Sequence, residues 1–92
     1  MARNSKRTRV DIIADMLRCI SERNGSIKPT HLMYKSNLSY IQMKEYLGEM
    51  KSKGLVTENI EKEKKCINIT KKGREFLSSI LQMKEFQKTF GL

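Results

Sequence analysis

The chain has 92 residues, room for one domain with a small core. Hydrophobic residues at 38% and charged residues at 32% exclude both a disordered chain and a membrane-embedded one. Nineteen Lys and Arg against ten Asp and Glu leave a net charge of +9, which suits a polyanionic partner, nucleic acid ahead of an acidic membrane surface.

The excess charge sits in two places. Residues 1–9 hold Arg3, Lys6, Arg7 and Arg9 with no acid, and residues 62–74 hold Lys62, Lys64, Lys65, Lys71, Lys72 and Arg74 against Glu63 alone. Everything else is balanced, so the chain reads as a neutral body with two basic appendages. The plainer alternative is solvated charge that only keeps the chain soluble. Cys19 and Cys66 stand far apart and His31 is the single histidine, so no zinc spacing exists and both thiols read as small buried or half-buried residues in a reducing compartment. With no run of signal-peptide or membrane-span length, a cytoplasmic location is expected.

In chain order, Thr8 with Asp11 three residues on predicts a capping box. Val10, Ile13, Ala14, Leu17 and Ile20 then form one apolar face of a helix over residues 9–23, which Asn24 and Gly25 stop. Ser26 to Lys28 is long enough only for a bridging strand, and Pro29 opens a short second helix through Leu32, Met33 and Tyr34 that ends at Ser36 and Asn37. Ser39 and Gln42 make a second capping box, with Leu38 and Met43 as its staple. The third helix turns Met43, Tyr46, Leu47 and Met50 inward and Ile41, Lys44, Glu45, Gly48 and Ser52 outward, and Gly54 ends it. Leu55 to Ile60 and Cys66 to Thr70 read as two strands joined by a polar connection, Glu61 to Lys65. Thr70 caps a last helix whose apolar positions exceed one stripe. Phe76, Ile80, Met83, Phe86 and Phe90 predict a seam against the same helix of a second chain, the alternative being a helix that only closes its own core.

The expected fold is therefore mainly α with a small β-hairpin, in the order α-β-α-α-β-β-α of a winged helix-turn-helix with a C-terminal dimerisation helix. Residues 1–8 form a basic flexible arm, 9–70 the DNA-binding domain and 71–92 the dimerisation helix. In such a fold the third helix enters the major groove and the hairpin tip reaches flanking backbone or minor groove. Phosphate contacts are then expected from Arg3, Lys6, Arg7 and Arg9 on the arm and from Lys62, Lys64 and Lys65 at the wing.

The runs Ser36-Asn37-Leu38-Ser39-Tyr40, Tyr46-Leu47, Lys53-Gly54-Leu55-Val56 and Ile69-Thr70-Lys71-Lys72-Gly73-Arg74-Glu75-Phe76-Leu77 resemble the small archaeal winged-helix DNA-binding proteins, a group of basic chromatin-associated proteins and transcriptional regulators. The resemblance spans residues 8–80. It implies an antiparallel coiled-coil dimer through the last helix and DNA contacts at Lys35, Ser36, Asn37, Ser39, Tyr40, Gln42 and Lys44. Against the pattern, the last helix is short for a coiled-coil stalk, and Glu45 and Glu49 lie near the face that would meet DNA.

Some of these residues have a second reading. Gln42 is already explained by the cap, Lys44 and Lys51 divide evenly between contact and solvated charge, and Tyr40 favours contact. Tyr34, Tyr46 and the methionines Met16, Met33, Met43 and Met50 read as packing residues. Catalysis is not expected: Asp11 and Asp15 share a helix face with no histidine or ligand cluster beside them, and no cofactor or small-molecule ligand is expected. The partners expected are double-stranded DNA and a second copy of the chain. A protein-interaction module with basic partners is the alternative, and RNA binding is disfavoured by the lack of aromatic platforms.

Overall fold

A computed structural model describes residues 7–92. Its elements are α1 (Arg9–Glu22), β1 (Ser26–Ile27), α2 (Pro29–Ser36), α3 (Tyr40–Ser52), β2 (Val56–Glu61), β3 (Lys64–Ile69) and α4 (Lys71–Thr89), the expected order. The strands form one antiparallel sheet in the order β1-β3-β2, with Ile27 opposite Ile67 and Glu58 opposite Ile67 on its other side.

Each helix start is written locally. Thr8 accepts from the Asp11 amide while the Asp11 carboxylate accepts from the Thr8 amide, and Ser39 and Gln42 repeat the exchange at α3. Pro29 occupies the first turn of α2, where its missing N–H costs no hydrogen bond. Thr70 accepts from the Gly73 amide and donates toward the carbonyls of Gly54 and Leu55, tying the start of α4 to the end of α3.

The core gathers Leu17 and Ile20 of α1, Leu32 of α2, Met43, Leu47 and Met50 of α3, Ile27 and Ile67 of the sheet, and Leu77 and Ile80 of α4. Two expectations are corrected here. Ile12, off the predicted stripe, is buried beside the expected packing residue Met16, and Val10 on the stripe is 44% exposed. The reason is that α1 lies between α2, the sheet and α4, so it is covered on more than one side. Val10 instead borders an open cleft of about 440 Å³ with Phe76 and Leu55. The hairpin is also tighter than expected: the strands run on to Glu61 and Lys64, leaving Lys62 and Glu63 as a two-residue turn, both with positive φ (52° and 65°).

Gly73 is the tightest crossing. A Cβ there would run into the Leu55 carbonyl oxygen and lie 2.9 Å from Ile69 Cγ1, so α4 reaches the sheet only because this residue has no side chain. Among the described residues no helix is long and apolar enough to cross a membrane.

Candidate nucleic-acid interface

The connection between α2 and α3 is set by Asn37, which takes the left-handed conformation (φ 57°) and directs its amide to the carbonyls of Met33 and Tyr34. The chain reverses there, and the Ser39 box launches α3 at a fixed angle. Leu38 closes the turn from inside, where it is buried. The outward stripe of α3 then carries Ile41, Lys44, Glu45, Gly48 and Ser52, all exposed, opposite the buried Met43, Leu47 and Met50.

The expected contact residues separate once placed. Lys35, Tyr40 and Lys44 are exposed on one side of this unit, with the Lys44 ammonium 5.5 Å from the Tyr40 ring centre, a cation–π arrangement that holds the charge near the helix start. Ser39 and Gln42 are exposed, but their side chains are engaged in the cap. Asn37 is exposed, and the structure assigns it a backbone role. Ser36 is corrected outright: it is 2% exposed, its hydroxyl points at Cys19 Sγ (3.8 Å), and its carbonyl accepts from Arg7. It packs the turn from inside and has no side chain to offer DNA. Tyr34 is the opposite correction, 74% exposed rather than packed, because α2 is covered by α1 and α3 on its other faces only.

At the wing, Lys62 sits on the turn, while Lys64 and Lys65 belong to β3, cross-strand from Glu61 and Ile60. Lys65 faces Glu58 at 3.9 Å, and Glu58 also holds Lys51 at 3.1 Å. Lys51 therefore braces α3 against β2. Lys35, Lys44, Lys62 and Lys64 form no ion pair among the described residues. Ile60, on the same face of the hairpin as Ile67, lies beyond the core and is exposed, as are Ile41 and Tyr34. Ile41 has no role in the expected contact set, and its signal in the sequence is an isoleucine at the start of a helix, off the apolar stripe.

The arm behaves differently. Arg3 and Lys6 lie outside the described residues. Arg7 donates to Asp15 Oδ2 (3.0 Å) and to the Ser36 carbonyl (2.9 Å), and Arg9 pairs with Glu49, which also meets Lys53 at 3.7 Å. Hydrogen bonding from the Arg9 guanidinium holds the Glu49 carboxyl below the usual carboxylate range, and Glu49 raises Arg9 in turn. Both arginines expected on a flexible arm are tied to the body. Glu49 points toward α1 rather than toward the outward stripe, which leaves Glu45 as the carboxylate on that stripe.

On α4 the expected seam divides. Ile80 is buried in the chain's own core and Phe76 is half-buried against it, whereas Met83, Phe86 and Phe90 are exposed. The Phe86 and Phe90 rings lie 4.7 Å apart. Lys84 reaches back to Asp11 at 2.7 Å, and with the Thr8 amide this holds the Asp11 carboxyl down to about 2.

The family described as winged helix-turn-helix matches residues 6–88 of this chain. Among solved structures, the DNA-binding protein Sso10a-2 from Sulfolobus solfataricus superposes with a TM-score of 0.78 at 21% identity, over 91% of this chain and 85% of that one. The YusO protein from Bacillus subtilis superposes at 0.80 with 11% identity, over 88% of this chain and 59% of that one. The transcriptional regulator BldR from Sulfolobus solfataricus gives 0.71 at 16% identity, over 87% and 60%. The chain thus spans about three-fifths of the length of the last two, and at these identities the likeness is one of fold. No curated protein sequence matches.

Proposed function

The chain belongs to the winged helix-turn-helix family, and from that premise we propose that it binds double-stranded DNA as a homodimer, as a transcriptional regulator or a chromatin-type architectural protein. The observation that carries the reading is α3, launched by the Ser39–Gln42 capping box with Lys44 on its exposed stripe, together with an exposed Lys35 on α2 and a wing whose Lys62 and Lys64 form no ion pair among the described residues. In this proposal α3 lies in the major groove, Lys35, Asn37, Ser39, Tyr40 and Lys44 line its approach, and Lys62 and Lys64 hold flanking phosphate. Lys65 contributes less, because Glu58 screens it. Arg7 and Arg9 act indirectly, by fixing α1 against the turn and α3. Nucleoid association in the cytoplasm follows from such a role.

The dimer is supported by Met83, Phe86 and Phe90, which repeat at three and four residues on a helix face that the chain itself leaves open. The second reading is a protein-interaction module. Of the two carboxylates that favoured it, Glu49 is engaged with Arg9 and Lys53, so its support rests on Glu45 alone.

The test is titration of labelled duplex DNA at two salt concentrations, with sedimentation of the free protein. About six phosphate contacts imply roughly a thousandfold loss of affinity between 50 and 200 mM salt, and the free protein is expected to sediment as a dimer. Absence of binding at low salt would overturn the DNA reading and favour a protein partner.

A further inference from the structure

The outward stripe of α3 is poorly built for sequence-blind contact with phosphate. Ile41 is 71% exposed in its first turn, Glu45 stands one turn further on without an ion pair among the described residues, and Gly48 follows at the next position of the same stripe. Ile41 adds no charge, Glu45 offsets Lys44, and Lys51, further along, is held by Glu58. A helix that served only to neutralise phosphates would gain from cations at these positions and lose from the carboxylate. An isolated exposed isoleucine is ordinary on a protein surface. What distinguishes Ile41 is its place, because the first turns of a groove-binding helix are the part that meets base edges.

Gly48 is an independent observation on the same stripe. A Cβ there would meet nothing within 4 Å, and its backbone is ordinary helix. Glycine within a helix weakens it relative to alanine, and nothing among the described residues requires this one. An open helix face without a side chain does permit close approach of another molecule's backbone.

The geometry points to α3 as a base-reading helix in which Ile41 covers a thymine methyl group and Glu45 accepts from the amino group of cytosine, making the protein a sequence-specific binder rather than a sequence-blind architectural one. This inference rests on the DNA-binding reading above. The chemistry is selective on both counts: thymine presents a methyl group in the major groove, and cytosine presents an amino donor with which a carboxylate pairs. Lys44, held over Tyr40, precedes Glu45 by one residue and lies on the other flank of Ile41, where it suits an adjacent guanine or phosphate. Ile41 and Glu45 are four residues apart, about 6 Å along the helix axis. The thymine and the cytosine therefore fall within about two base steps of one another.

The experiment is selection from a randomised duplex library at fixed salt with the full chain, using wild type, Ile41→Ala and Glu45→Gln. Both side chains are exposed, so the variants keep the wild-type melting temperature, which is measured alongside. Wild type is expected to enrich a short site containing the thymine and cytosine at that spacing. Ile41→Ala loses about fourfold of the preference at the thymine position alone, the value of one buried methyl-sized group. Glu45→Gln changes the preferred base from cytosine to adenine, since an amide both donates and accepts as adenine requires. A change of base identity is a readout that a purely structural role for Glu45 would not move. The inference is overturned if wild type binds duplex tightly yet enriches no site, or if both variants enrich the wild-type site unchanged. Failure to bind any duplex at low salt overturns the DNA reading itself and this inference with it.

Discussion

The two halves of α4 are one continuous helix with the same kind of sequence, yet they live in different environments. Residues 71–80 place Gly73, Leu77 and Ile80 in the core, with Gly73 against the Leu55 carbonyl. From Leu81 onward every residue is exposed, and the side-chain tie back to the body among the described residues is Lys84 to Asp11. The apolar pattern does not weaken at the boundary; the body simply ends there. What an apolar residue on this helix stabilises is therefore decided by position along it, folding in the first half and, in our proposal, association in the second.

The largest expected effect is on the inner half. Leu77→Ala removes a buried side chain and leaves a cavity between α4 and α1, costing about 3 kcal/mol of unfolding free energy, read by urea denaturation. A loss under about 1 kcal/mol would break the comparison, because α4 would then contribute little to the core even where it is covered.

The outer half is expected to invert that result. Phe86→Glu combined with Phe90→Glu should change monomer stability by no more than about 0.5 kcal/mol while raising the dimer dissociation constant by about a hundredfold or more, measured by sedimentation at several concentrations. If the double variant instead unfolds like Leu77→Ala, these rings pack on their own domain in solution and the division of the helix is wrong.

The smallest effect sits at the joint. The Asp11 carboxyl, held down chiefly by its hydrogen bond to Lys84, titrates at about 2 against an ordinary value of 3.8. A depressed carboxylate contributes stability that is full above its unfolded value and is lost as pH falls through the folded one. Both groups are partly exposed, so solvent screening limits the contribution to under about 1 kcal/mol. Lys84→Met should therefore lower stability slightly and evenly above about pH 4, with the difference from wild type shrinking as pH falls through about 2 and toward nothing by about pH 1. A difference that persists undiminished at about pH 1 would mean that Lys84 acts by packing its stem rather than by its charge.

The same contrast between sequence and surroundings runs through the basic segments. By composition the arm and the wing looked equivalent. In the fold, Arg7 and Arg9 are drawn to Asp15 and Glu49, while Lys62 and Lys64 are left unpaired among the described residues. For Arg9 a carboxylate forty residues away made that choice, and no local pattern announces it. The wing turn escaped for another reason. Tight two-residue turns with positive φ favour Asn and Gly, and Lys62 and Glu63 carry neither signal.

The sequence by itself determined the order of elements, the helix starts at Thr8, Ser39 and Thr70, the stop at Gly54 and the inward face of α3, because caps, glycines and apolar spacing act over a few residues and need no distant partner. Tertiary structure decided which side chains remain available. It buried Ser36, exposed Tyr34 and Val10, neutralised Arg9 with Glu49 and divided α4 after Ile80, since burial and charge pairing depend on residues far away in the chain that only folding brings near.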